Sequence, residues 1–452
     1  MGIVFYKELK VLKDQTIAAI ATSTAIGGIG IVRLSGSESI RIVQEMTKLT
    51  DLKSRHAYFS PFLGKGGEVI DEGVVIFYQG PNSFTGEDVI ELQGHGGLVV
   101  LNRVLSRTLE LGATMARRGE FSERAFINGK LDLVQAEAIH DLIVSQSEAQ
   151  AKAAMNSLTG RFSSKVNELL QSLVMMRVYI EAAIDFSEED IDFISDGNVI
   201  KGLNSLNDQV SSLLRSAGNG KVLTDGLKVV IAGKPNAGKS SLLNALSGEE
   251  TAIVTDIEGT TRDVLRERII IDGIPLYIID TAGLRETTDQ IEAEGIKRAK
   301  REMAGADLVL WMHDDSQEFM GIDADIAALN IPVINIHNKA DISGNRIGKH
   351  EDYIAISAKE DLGIDAVKAA ILNYAGFESQ EGIFSARERH LQALKSVLEH
   401  FAVALRLIHE EVAIELVAEE LRLAQISLGE ITGEFSSDAL LGEIFSNFCV
   451  GK

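Results

Sequence analysis

The chain has 452 residues, a formal net charge of −22 at pH 7 and an apolar content of 45%. This length predicts about two to four domains, because a globular domain usually contains roughly 100–200 residues. No uncharged apolar stretch is long enough to span a membrane, and the residues after Met1 lack the apolar core of a signal peptide. The single cysteine, Cys449, excludes an internal disulfide framework, so we expect a cytoplasmic protein without a membrane segment.

The acidic charge balance limits how the protein would hold a nucleic acid. A broad electrostatic grip on RNA or DNA requires clustered lysine and arginine, and the net charge of −22 argues against it. An RNA substrate would therefore need a local basic patch or a more basic partner. The alternative is that the acidity only maintains solubility.

Residues 1–118 combine short apolar runs with glycine clusters, a pattern typical of strands joined by turns. The expected strands are Thr16–Ala21, Gly27–Leu34, Val74–Tyr78 and Val89–Gln93. This pattern predicts an N-terminal α+β domain. The glycines of Gly27–Gly30 do not form a dinucleotide-binding motif, because the third glycine of that motif is missing.

Two segments, residues 119–219 and 379–452, have helical periodicity. Apolar residues recur there at three- and four-residue steps, which predicts amphipathic helices. The residues that carry this pattern are Leu131, Ala136, Ile139, Leu142 and Ile143, then Leu169, Leu173, Met176 and Ile180, and finally Leu391, Leu394, Leu398 and Phe401. Residues 220–378, which separate the two segments, do not share this helical pattern. We therefore expect the two segments to form one discontinuous helical domain.

Residues 220–378 alternate strand-like runs with helical segments, as expected for a doubly wound parallel sheet. The expected strands are Leu227–Ala232, Leu276–Asp280, Leu308–Met312, Val333–His337 and Tyr353–Ser357. The ends of a domain often lie close together, so an α/β domain can be inserted into a helical one. The predicted fold class is therefore multidomain, α+β and α/β, with an inserted P-loop domain.

Gly233–Ser240 reads GKPNAGKS and matches the phosphate-binding loop G-x-x-x-x-G-K-S. It follows a predicted strand and opens a predicted helix, Ser241–Leu246, which is the context that this motif requires. Backbone N–H groups and Lys239 would hold phosphates, and Ser240 would bind Mg²⁺. The expected nucleotide contacts in this loop are Asn236, Ala237, Gly238, Lys239, Ser240 and Ser241.

Two motifs typical of GTPase switch regions follow the phosphate-binding loop. Gly259–Asp263 (GTTRD) is typical of switch I, with Thr261 as a second Mg²⁺ ligand, and Asp280–Gly283 (DTAG) is typical of switch II. The expected nucleotide contacts here are Thr255, Asp256, Ile257, Glu258, Gly259, Thr260, Thr261, Asp280, Thr281, Ala282 and Gly283.

Two later motifs predict recognition of guanine. Asn338–Asp341 (NKAD) matches N-K-x-D, with Asn338, Lys339 and Asp341 as expected contacts. A carboxylate at Asp341 can accept hydrogen bonds from the N1–H and 2-amino groups of guanine, a donor pair that adenine lacks. Ser357–Lys359 (SAK) would contact the base through Ser357, Ala358 and Lys359. Any one motif could be an ordinary loop, but all five in this order predict a Ras-like G domain that hydrolyses GTP to GDP and phosphate.

The residue after switch II raises the question of how hydrolysis is accelerated. Signalling GTPases of the Ras type place a glutamine there to orient water, whereas this chain has Leu284. Arg262 in switch I is one candidate for a substitute. The long segment Glu249–Asp263, together with Asn236, instead indicates that a group other than Arg262 compensates for the missing glutamine.

The chain resembles the MnmE family of bacterial tRNA-modification GTPases over nearly its whole length. The resemblance rests on the G motifs and on segments outside them: FTGEDV from Phe84, QGHGG from Gln93, GEFSERAF from Gly119, NGKLD from Asn128, EAAIDF from Glu181, GEITGE from Gly429 and FCVGK from Phe448. It departs from the family at Ala25 and Ile26, at Arg118 in place of a usual proline, and at Val450 in place of a usual isoleucine, and these departures concern local loop geometry.

The resemblance implies a K⁺ ion in place of an arginine finger, completed when two G domains meet. Its ligands would be Asn236, Thr255, Ile257 and Thr260. Amide and carbonyl oxygens suit a hard cation. The family's catalytic glutamate corresponds to Glu292, which would orient the attacking water; otherwise Glu292 is an exposed helix carboxylate.

The resemblance also implies an N-terminal domain that forms a homodimer and binds a reduced folate, a 5,10-methylene- or 5-formyl-tetrahydrofolate. Arg33, Glu91, Lys130 and the tail residue Lys452 would contact it. A carboxylate such as that of Glu91 can accept from the donor edge of the pterin, and a cation suits the glutamate tail. Without the resemblance, each of these residues would be interpreted as part of a surface ion pair.

Cys449 has two interpretations. It is either a buried thiol, the usual environment of a cysteine, or a reactive thiol on a short tail that the family needs for tRNA modification. With the family match we expect the second and place Cys449 among the catalytic residues.

The resemblance implies an enzyme that works with the flavoprotein MnmG, which would hold most of the tRNA. It would add a (carboxymethyl)aminomethyl group to carbon 5 of the wobble uridine. A regulatory or ribosome-assembly G protein without modification chemistry is the alternative that the G motifs alone leave open. A membrane-remodelling scaffold would need an amphipathic or basic surface helix, and the sequence shows none.

Overall fold

The computed structural model describes residues 15–185, 198–247, 266–280, 305–319, 321–322, 324–328, 330–377, 382–410, 414–435, 437–448 and 450–451. The chain divides into two compact units. The first contains Met1–His140 and Gly429–Lys452, and the second contains Asp141–Leu428. Within the described ranges, no helix has both the length and the apolar character needed to cross a membrane.

The strands are β1 Ile17–Ile20, β2 Gly27–Ser35, β3 Ala57–Leu63, β4 Val69–Tyr78, β5 Val89–Gly96, β6 Thr114–Met115, β7 Leu227–Gly233, β8 Arg266–Ile271, β9 Ile274–Asp280, β10 Leu308–Asp314, β11 Val333–Asn338, β12 Gly348–Lys349 and β13 Ile354–Ile356. The helices are α1 Ser39–Thr47, α2 Leu98–Glu110, α3 Glu120–Ile127, α4 Leu133–Val144, α5 Glu148–Leu158, α6 Arg161–Asp185, α7 Asn198–Asp225, α8 Lys239–Ser247, α9 Ala324–Ala327, α10 Ala340–Ser343, α11 Ile364–Ala375, α12 Glu388–His409, α13 Ile414–Thr432 and α14 Asp438–Ser446.

The first unit contains a six-stranded sheet in the order β3-β4-β5-β2-β1-β6. Its neighbours pair antiparallel except β1 and β6, which are parallel. Successive side chains of a strand face opposite sides of the sheet. Val32, Leu34 and Leu92 belong to one buried apolar cluster together with residues of α1 and α2. That cluster leaves the other side of β2 and β5 available for polar side chains.

The opposite side of the same sheet carries a smaller apolar cluster. Ile17 and Ala19 of β1 pack there with Phe121 of α3. Arg33 of β2 is directly opposite Glu91 of β5 in the strand register, and Ala19 of β1 is opposite Arg33. Because residues opposite each other share a face, Arg33 and Glu91 lie beside this small cluster.

The end of the chain packs into the first unit. Phe445 and Phe448 are buried together with Leu133 and Ala136 of α4. Val450 forms an isolated antiparallel bridge with Arg118. Arg118 and Val450, two of the positions at which the chain departs from the family, are therefore paired with each other in the fold.

The second unit contains a seven-stranded sheet in the order β12-β13-β11-β10-β7-β9-β8. The five inner strands are parallel, and β8 and β12 pair antiparallel at the edges. Val229 and Ile231 of β7 join one apolar cluster, whereas Val230 and Ala232 join another. Both faces of the sheet are buried, as expected for the inner strands of a doubly wound fold.

Helices of the second unit pack mainly on one another. The long helix α7 packs against α12 and α6. In α12 the predicted apolar stripe is partly displaced: Leu394 and Phe401 are buried, but Leu391 and Leu398 are only half-buried. Val397 has the buried position beside Leu394 instead. The predicted fold class, an α+β domain with helical segments around an α/β G domain, is confirmed.

Candidate functional site

The phosphate-binding loop connects β7 to α8 at an edge where the strand order reverses. The strand order changes direction between β7 and β10, and such a switch point at the carboxyl ends of parallel strands is where α/β sheets bind ligands. Asn236 at the tip of the loop has a left-handed backbone with φ of 63° and is exposed. The loop therefore has the tight, irregular backbone that lets N–H groups converge on an anion.

Gly238 of this loop requires the absence of a side chain. Its φ is +95°, and a Cβ atom there would lie 2.1 Å from Nδ2 of Asn338. The close approach lets Asn338 donate from Nδ2 to the carbonyl oxygen of Ala237, at 2.8 Å. The glycine thus couples the phosphate-binding loop to the guanine motif.

Lys239 and Ser240 begin α8. The Nζ atom of Lys239 donates to the carbonyl oxygens of Gly233 and Lys234, at 2.8 and 3.1 Å, so the lysine folds back over the loop. Ser240 and Ser241 are exposed at the start of the helix. A hydroxyl at this position, beside a loop that binds anionic phosphates, fits the first ligand of a Mg²⁺ ion.

Asn338 joins the loops of the expected nucleotide site. It is only 4% exposed. Its Oδ1 accepts a hydrogen bond from the N–H of Ala358 at 2.9 Å, and its Nδ2 donates one to the carbonyl oxygen of Ala237. The structure therefore brings three of the predicted motifs together through one buried amide. Asp341 lies exposed in the first turn of α10, where its carboxylate is open to a base.

Lys339 is held by an acidic residue that the sequence analysis did not identify. Its Nζ lies 2.6 Å from Oδ2 of Asp314, at the end of β10. Burial acts to raise the pKa of Asp314, but hydrogen bonds from Lys339 and Ser316 outweigh it and hold that pKa below its usual value. The carboxylate therefore remains charged and fixes the ammonium group of Lys339 beside the guanine motif.

The last nucleotide motif forms a tight turn. Ser357 and Leu362 exchange two backbone hydrogen bonds of 3.0 Å, and Ser357 is buried. Lys359 is exposed and forms an ion pair of 3.4 Å with Glu360. The backbone of the turn thus faces the guanine motif while its lysine extends into solvent.

A stack of rings supports the end of β11, immediately before Asn338. His337 stacks on Tyr353 with ring centroids 4.0 Å apart, and its Nδ1 donates to Oδ1 of Asp315 at 2.9 Å. Burial lowers the pKa of His337, and the neighbouring His313 and His350 add to this, against the opposing effect of Asp315. The neutral imidazole is therefore favoured in the folded protein.

A second group of predicted residues lies in the first unit. Nε and Nη2 of Arg33 donate to Oε1 of Glu91 at 3.1 and 2.8 Å, and Gln93 donates to the other carboxylate oxygen at 3.0 Å. The guanidinium also lies 5.8 Å from the ring centre of Phe84 and 5.9 Å from that of Phe121. A largely buried charged pair with aromatic neighbours can recognise a flat polar ring.

The C-terminal tail reaches this pair. Nη1 of Arg33 donates to the carbonyl oxygen of Gly451 at 3.4 Å. The ring of Phe448 stacks on His140 at 5.4 Å, which fixes the tail just before Cys449. Lys130 lines an open cleft next to Phe84. The structure therefore brings Arg33, Glu91 and the tail together.

Several predicted site residues lie outside the described part of the chain. Asp280 is described only as the last residue of β9, paired with Ile231. The others are Thr255, Asp256, Ile257, Glu258, Gly259, Thr260, Thr261, Thr281, Ala282, Gly283, Glu292, Cys449 and Lys452.

Sequence reasoning missed residues that support both groups. Gln93 belonged to a recognised segment, and its alternation with Glu91 along β5 would have placed both on one face. Phe121 also belonged to a recognised segment, GEFSERAF, but its contact with Arg33 could not be read from that segment. The roles of Asp314 and Tyr353 likewise depend on contacts between distant segments.

Two family models and several known proteins match this chain. The family model of the MnmE helical domain matches residues 133–449, and that of the N-terminus of the GTP-binding protein TrmE matches residues 16–130. The tRNA modification GTPase MnmE of Pseudomonas entomophila is 51% identical over 456 residues, which cover 97% of this chain and 99% of the relative.

Two further relatives with the same name give the same result. The protein of Vibrio cholerae is 51% identical over 454 residues, covering 98% of this chain and 100% of the relative, and that of Acinetobacter baylyi is 51% identical over 448 residues, covering 97% of each. With this identity over nearly the whole length, the chain belongs to the MnmE family of tRNA modification GTPases.

Proposed function

We propose that this tRNA modification GTPase acts with the flavoprotein MnmG in the cytoplasm to add a (carboxymethyl)aminomethyl group to carbon 5 of the wobble uridine of certain tRNAs. The one-carbon unit would come from 5,10-methylene- or 5-formyl-tetrahydrofolate. The observation that carries the proposal is the contact of Arg33 with both Glu91 and Gly451, which brings a ligand-competent charged pair to the tail that bears Cys449.

The GTP step uses the residues around the phosphate-binding loop. Lys239 would leave the carbonyl oxygens of Gly233 and Lys234 and turn to the β- and γ-phosphates. Ser240 and Thr261 would hold Mg²⁺, which neutralises charge that develops on the phosphates. Asp341 would select guanine, and Asn338 would keep the loops in register.

The hydrolysis step needs a group to compensate for Leu284, which cannot orient water. We assign this to a K⁺ ion held by Asn236, Thr255, Ile257 and Thr260, and to Glu292 as the residue that orients the attacking water. The exposed left-handed backbone at Asn236 supports the proposal, because it presents the amide at the surface of the loop.

The folate would bind at the first unit. Glu91 would accept from the donor edge of the pterin while Arg33, Lys130 and Lys452 balance negative charge. The aromatic rings beside Arg33 support this, because they offer an apolar surface to a flat ligand. When bound, the folate supplies a one-carbon unit, and the protein residues position it beside the tail.

The proposed assembly is a homodimer that joins MnmG in a heterotetramer or a larger complex. With a net charge of −22, the chain would leave most of the tRNA contact to the partner. We propose domain boundaries after residues 118, 219 and 378.

A regulatory or ribosome-assembly G protein is the alternative. Such a protein would use the G motifs but would need neither the Arg33–Glu91 pair nor a thiol on the tail.

The test substitutes the thiol. Cys449→Ser should retain GTP hydrolysis and a normal melting temperature but abolish wobble-uridine modification, because serine is nearly isosteric and lacks the nucleophilic thiolate. Glu292→Ala serves as the reciprocal control, with slow hydrolysis and nearly unchanged GTP affinity. Normal modified-nucleoside levels with Cys449→Ser would eliminate a catalytic role for the thiol.

A further inference from the structure

An open cleft of about 500 Å³ lies beside the Arg33–Glu91 pair. Its lining residues are Arg55, Tyr78, Asn82, Ser83, Phe84 and Lys130. The volume falls within the usual range of small-molecule sites, roughly 300–1,000 Å³. Phe84 connects the two places, because its ring lies under the guanidinium of Arg33 and also forms part of the cleft wall.

The charge of the cleft is opposite to that of the protein. Arg55 and Lys130 line it, and its described lining includes no carboxylate. The whole chain, by contrast, has a formal net charge of −22. The two cations give the cleft a local positive potential. This potential attracts an anionic group although the protein as a whole is acidic.

Arg55 is fixed at this place rather than extended freely into solvent. Its Nη2 donates to the carbonyl oxygen of Asn82 at 2.8 Å, and its guanidinium lies 5.8 Å from the ring centre of Tyr78. Its backbone has a left-handed φ of 62°, and its N–H donates to the carbonyl oxygen of Phe77 at 2.7 Å. A non-glycine residue in this conformation is uncommon, and such residues cluster at ligand sites.

The cleft and the Arg33–Glu91 pair are also linked electrostatically. Burial raises the pKa of the Tyr78 phenol, the charge of Glu91 raises it further, and Arg33 and Arg55 oppose both effects. One phenol therefore lies within range of the charges in both places. Ile76 of β4 is opposite Glu91 of β5, so Tyr78, two residues along the same strand, shares a face of the sheet with Glu91. A single elongated ligand on this face would contact both the cleft and the pair.

We propose that this cleft binds the glutamate tail of the reduced folate, with Arg55 as the residue that recognises tail carboxylates together with Lys130. The pterin would lie at Glu91, the benzoyl ring would pack near Phe84, and each added glutamate would bring another carboxylate toward Arg55. The inference rests on the folate site proposed above and adds a preference for polyglutamylated forms.

The test uses the full-length protein and three probes: 5-formyltetrahydrofolate with one glutamate, the same compound with three glutamates, and a tetrahydropterin without a tail. Wild-type protein should bind the triglutamate more tightly than the monoglutamate, by about tenfold for one additional charge-assisted contact. Arg55→Gln should remove most of this gain and leave the affinity for the tetrahydropterin unchanged. The gain should also shrink at high KCl concentration.

A matched control separates this contact from a general loss of positive charge. Arg103→Gln removes an exposed arginine of the same unit, paired with Glu68 at 3.7 Å in a different cleft, and should retain the triglutamate preference. Equal affinities for the three probes in wild type and Arg55→Gln would overturn the inference while leaving the folate site intact. Failure of wild-type protein to bind either folate would instead overturn both proposals.

One further outcome concerns RNA. If Arg55→Gln weakened binding of unmodified tRNA and left all folate affinities unchanged, the cleft would serve phosphates of the RNA backbone, and the folate-tail inference would be wrong. Melting curves of both variants should lie close to that of wild type, because each variant loses only the surface contacts of an exposed residue.

Discussion

At the scale of single residues, Asn338 is the centre of the proposed nucleotide site, because its buried amide forms hydrogen bonds with Ala237 and Ala358 at once. Gly238→Ala would place a Cβ atom 2.1 Å from the Nδ2 atom of Asn338 and force that amide away. We expect GTP affinity to fall by about tenfold or more, as the loss of one or two buried hydrogen bonds implies.

Gly344→Ala is the matched control for Gly238→Ala. Gly344 also has a positive φ, +77°, but in the described part of the chain no atom beyond its sequence neighbours lies within 4 Å of the position of its added Cβ. Because alanine is disfavoured at a positive φ, this variant should lose about 1 kcal/mol of stability, and it should retain GTP affinity. Titration with a fluorescent GTP analogue distinguishes the two. Equal loss of affinity in both variants would show that strain alone explains the effect.

We predict that Asp341 selects the base. Because a carboxylate accepts from the donor edge of guanine, wild-type protein should bind GTP and not ATP. Asp341→Asn should lower GTP affinity by about two orders of magnitude, since each charge-assisted bond contributes roughly 1.5–3 kcal/mol. The variant should gain affinity for xanthosine triphosphate, whose additional carbonyl suits an amide donor. ATP binding as tight as GTP binding in wild type would contradict this account.

His337 predicts a pH dependence of stability. Its pKa in the folded protein is lower than the usual 6.5, so the unfolded chain binds more protons as the pH falls. The contribution of His337 to the free energy of unfolding is therefore complete above about pH 6.5 and decreases below that pH. Trp311, the only tryptophan, is buried in β10 and reports unfolding of this sheet.

The measurement is the melting temperature followed by Trp311 fluorescence at two pH values, one near neutrality and one about one pH unit below 6.5. His337→Gln should show a smaller decrease on acidification than wild type. His56→Gln, an exposed histidine of the first unit, is the control and should behave as wild type. An identical pH response in His337→Gln would remove His337 as the cause.

At the scale of elements, the strands that lead into nucleotide motifs were predictable. The runs before the phosphate-binding loop and before Asn338 are apolar and rich in β-branched residues, because parallel strands are buried on both faces. β8 and β12 were not predicted, since short or charged edge strands lack that pattern. β3 was also missed because exposed residues such as Phe59 disturb its alternation.

The candidate sites were predictable to different degrees. The proposed contacts of GTP follow from contiguous motifs, so Lys239, Asn338 and Asp341 could be named as candidates from the sequence. Arg33 and Glu91 were named only through a family resemblance, because they meet through strand register across distant segments. Arg55 carried no signal in the sequence, since its role depends on the fold of the residues around Tyr78.

The phosphate-binding loop predicts a dependence on K⁺. If Asn236 is a K⁺ ligand, hydrolysis should be about a hundredfold faster in KCl than in NaCl, the scale of one lost electrostatic partner in a transition state. Asn236→Ala should remove the difference between the salts. Steady-state phosphate release at equal ionic strength is the measurement. Equal wild-type rates in both salts would refute the K⁺ site.

At the scale of the whole molecule, the motifs of the G domain lie in one compact unit, and the Arg33–Glu91 pair and the C-terminal tail lie in the other. Phe445 and Phe448 pack beside α4 and Gly451 contacts Arg33, so residues from distant parts of the sequence build the first unit. A chain arranged in this way can couple nucleotide hydrolysis to chemistry through a change between two arrangements, as nucleotide switches do.

The central claim is that the chain serves wobble-uridine modification and not GTP-dependent regulation alone. The most direct measurement is mass spectrometry of wobble nucleosides from a strain that lacks the gene, with and without a plasmid copy. We expect the modified uridines to disappear in the deletion strain, to return with the wild-type copy and to remain absent with Cys449→Ser. An unchanged nucleoside profile in the deletion strain would contradict the account.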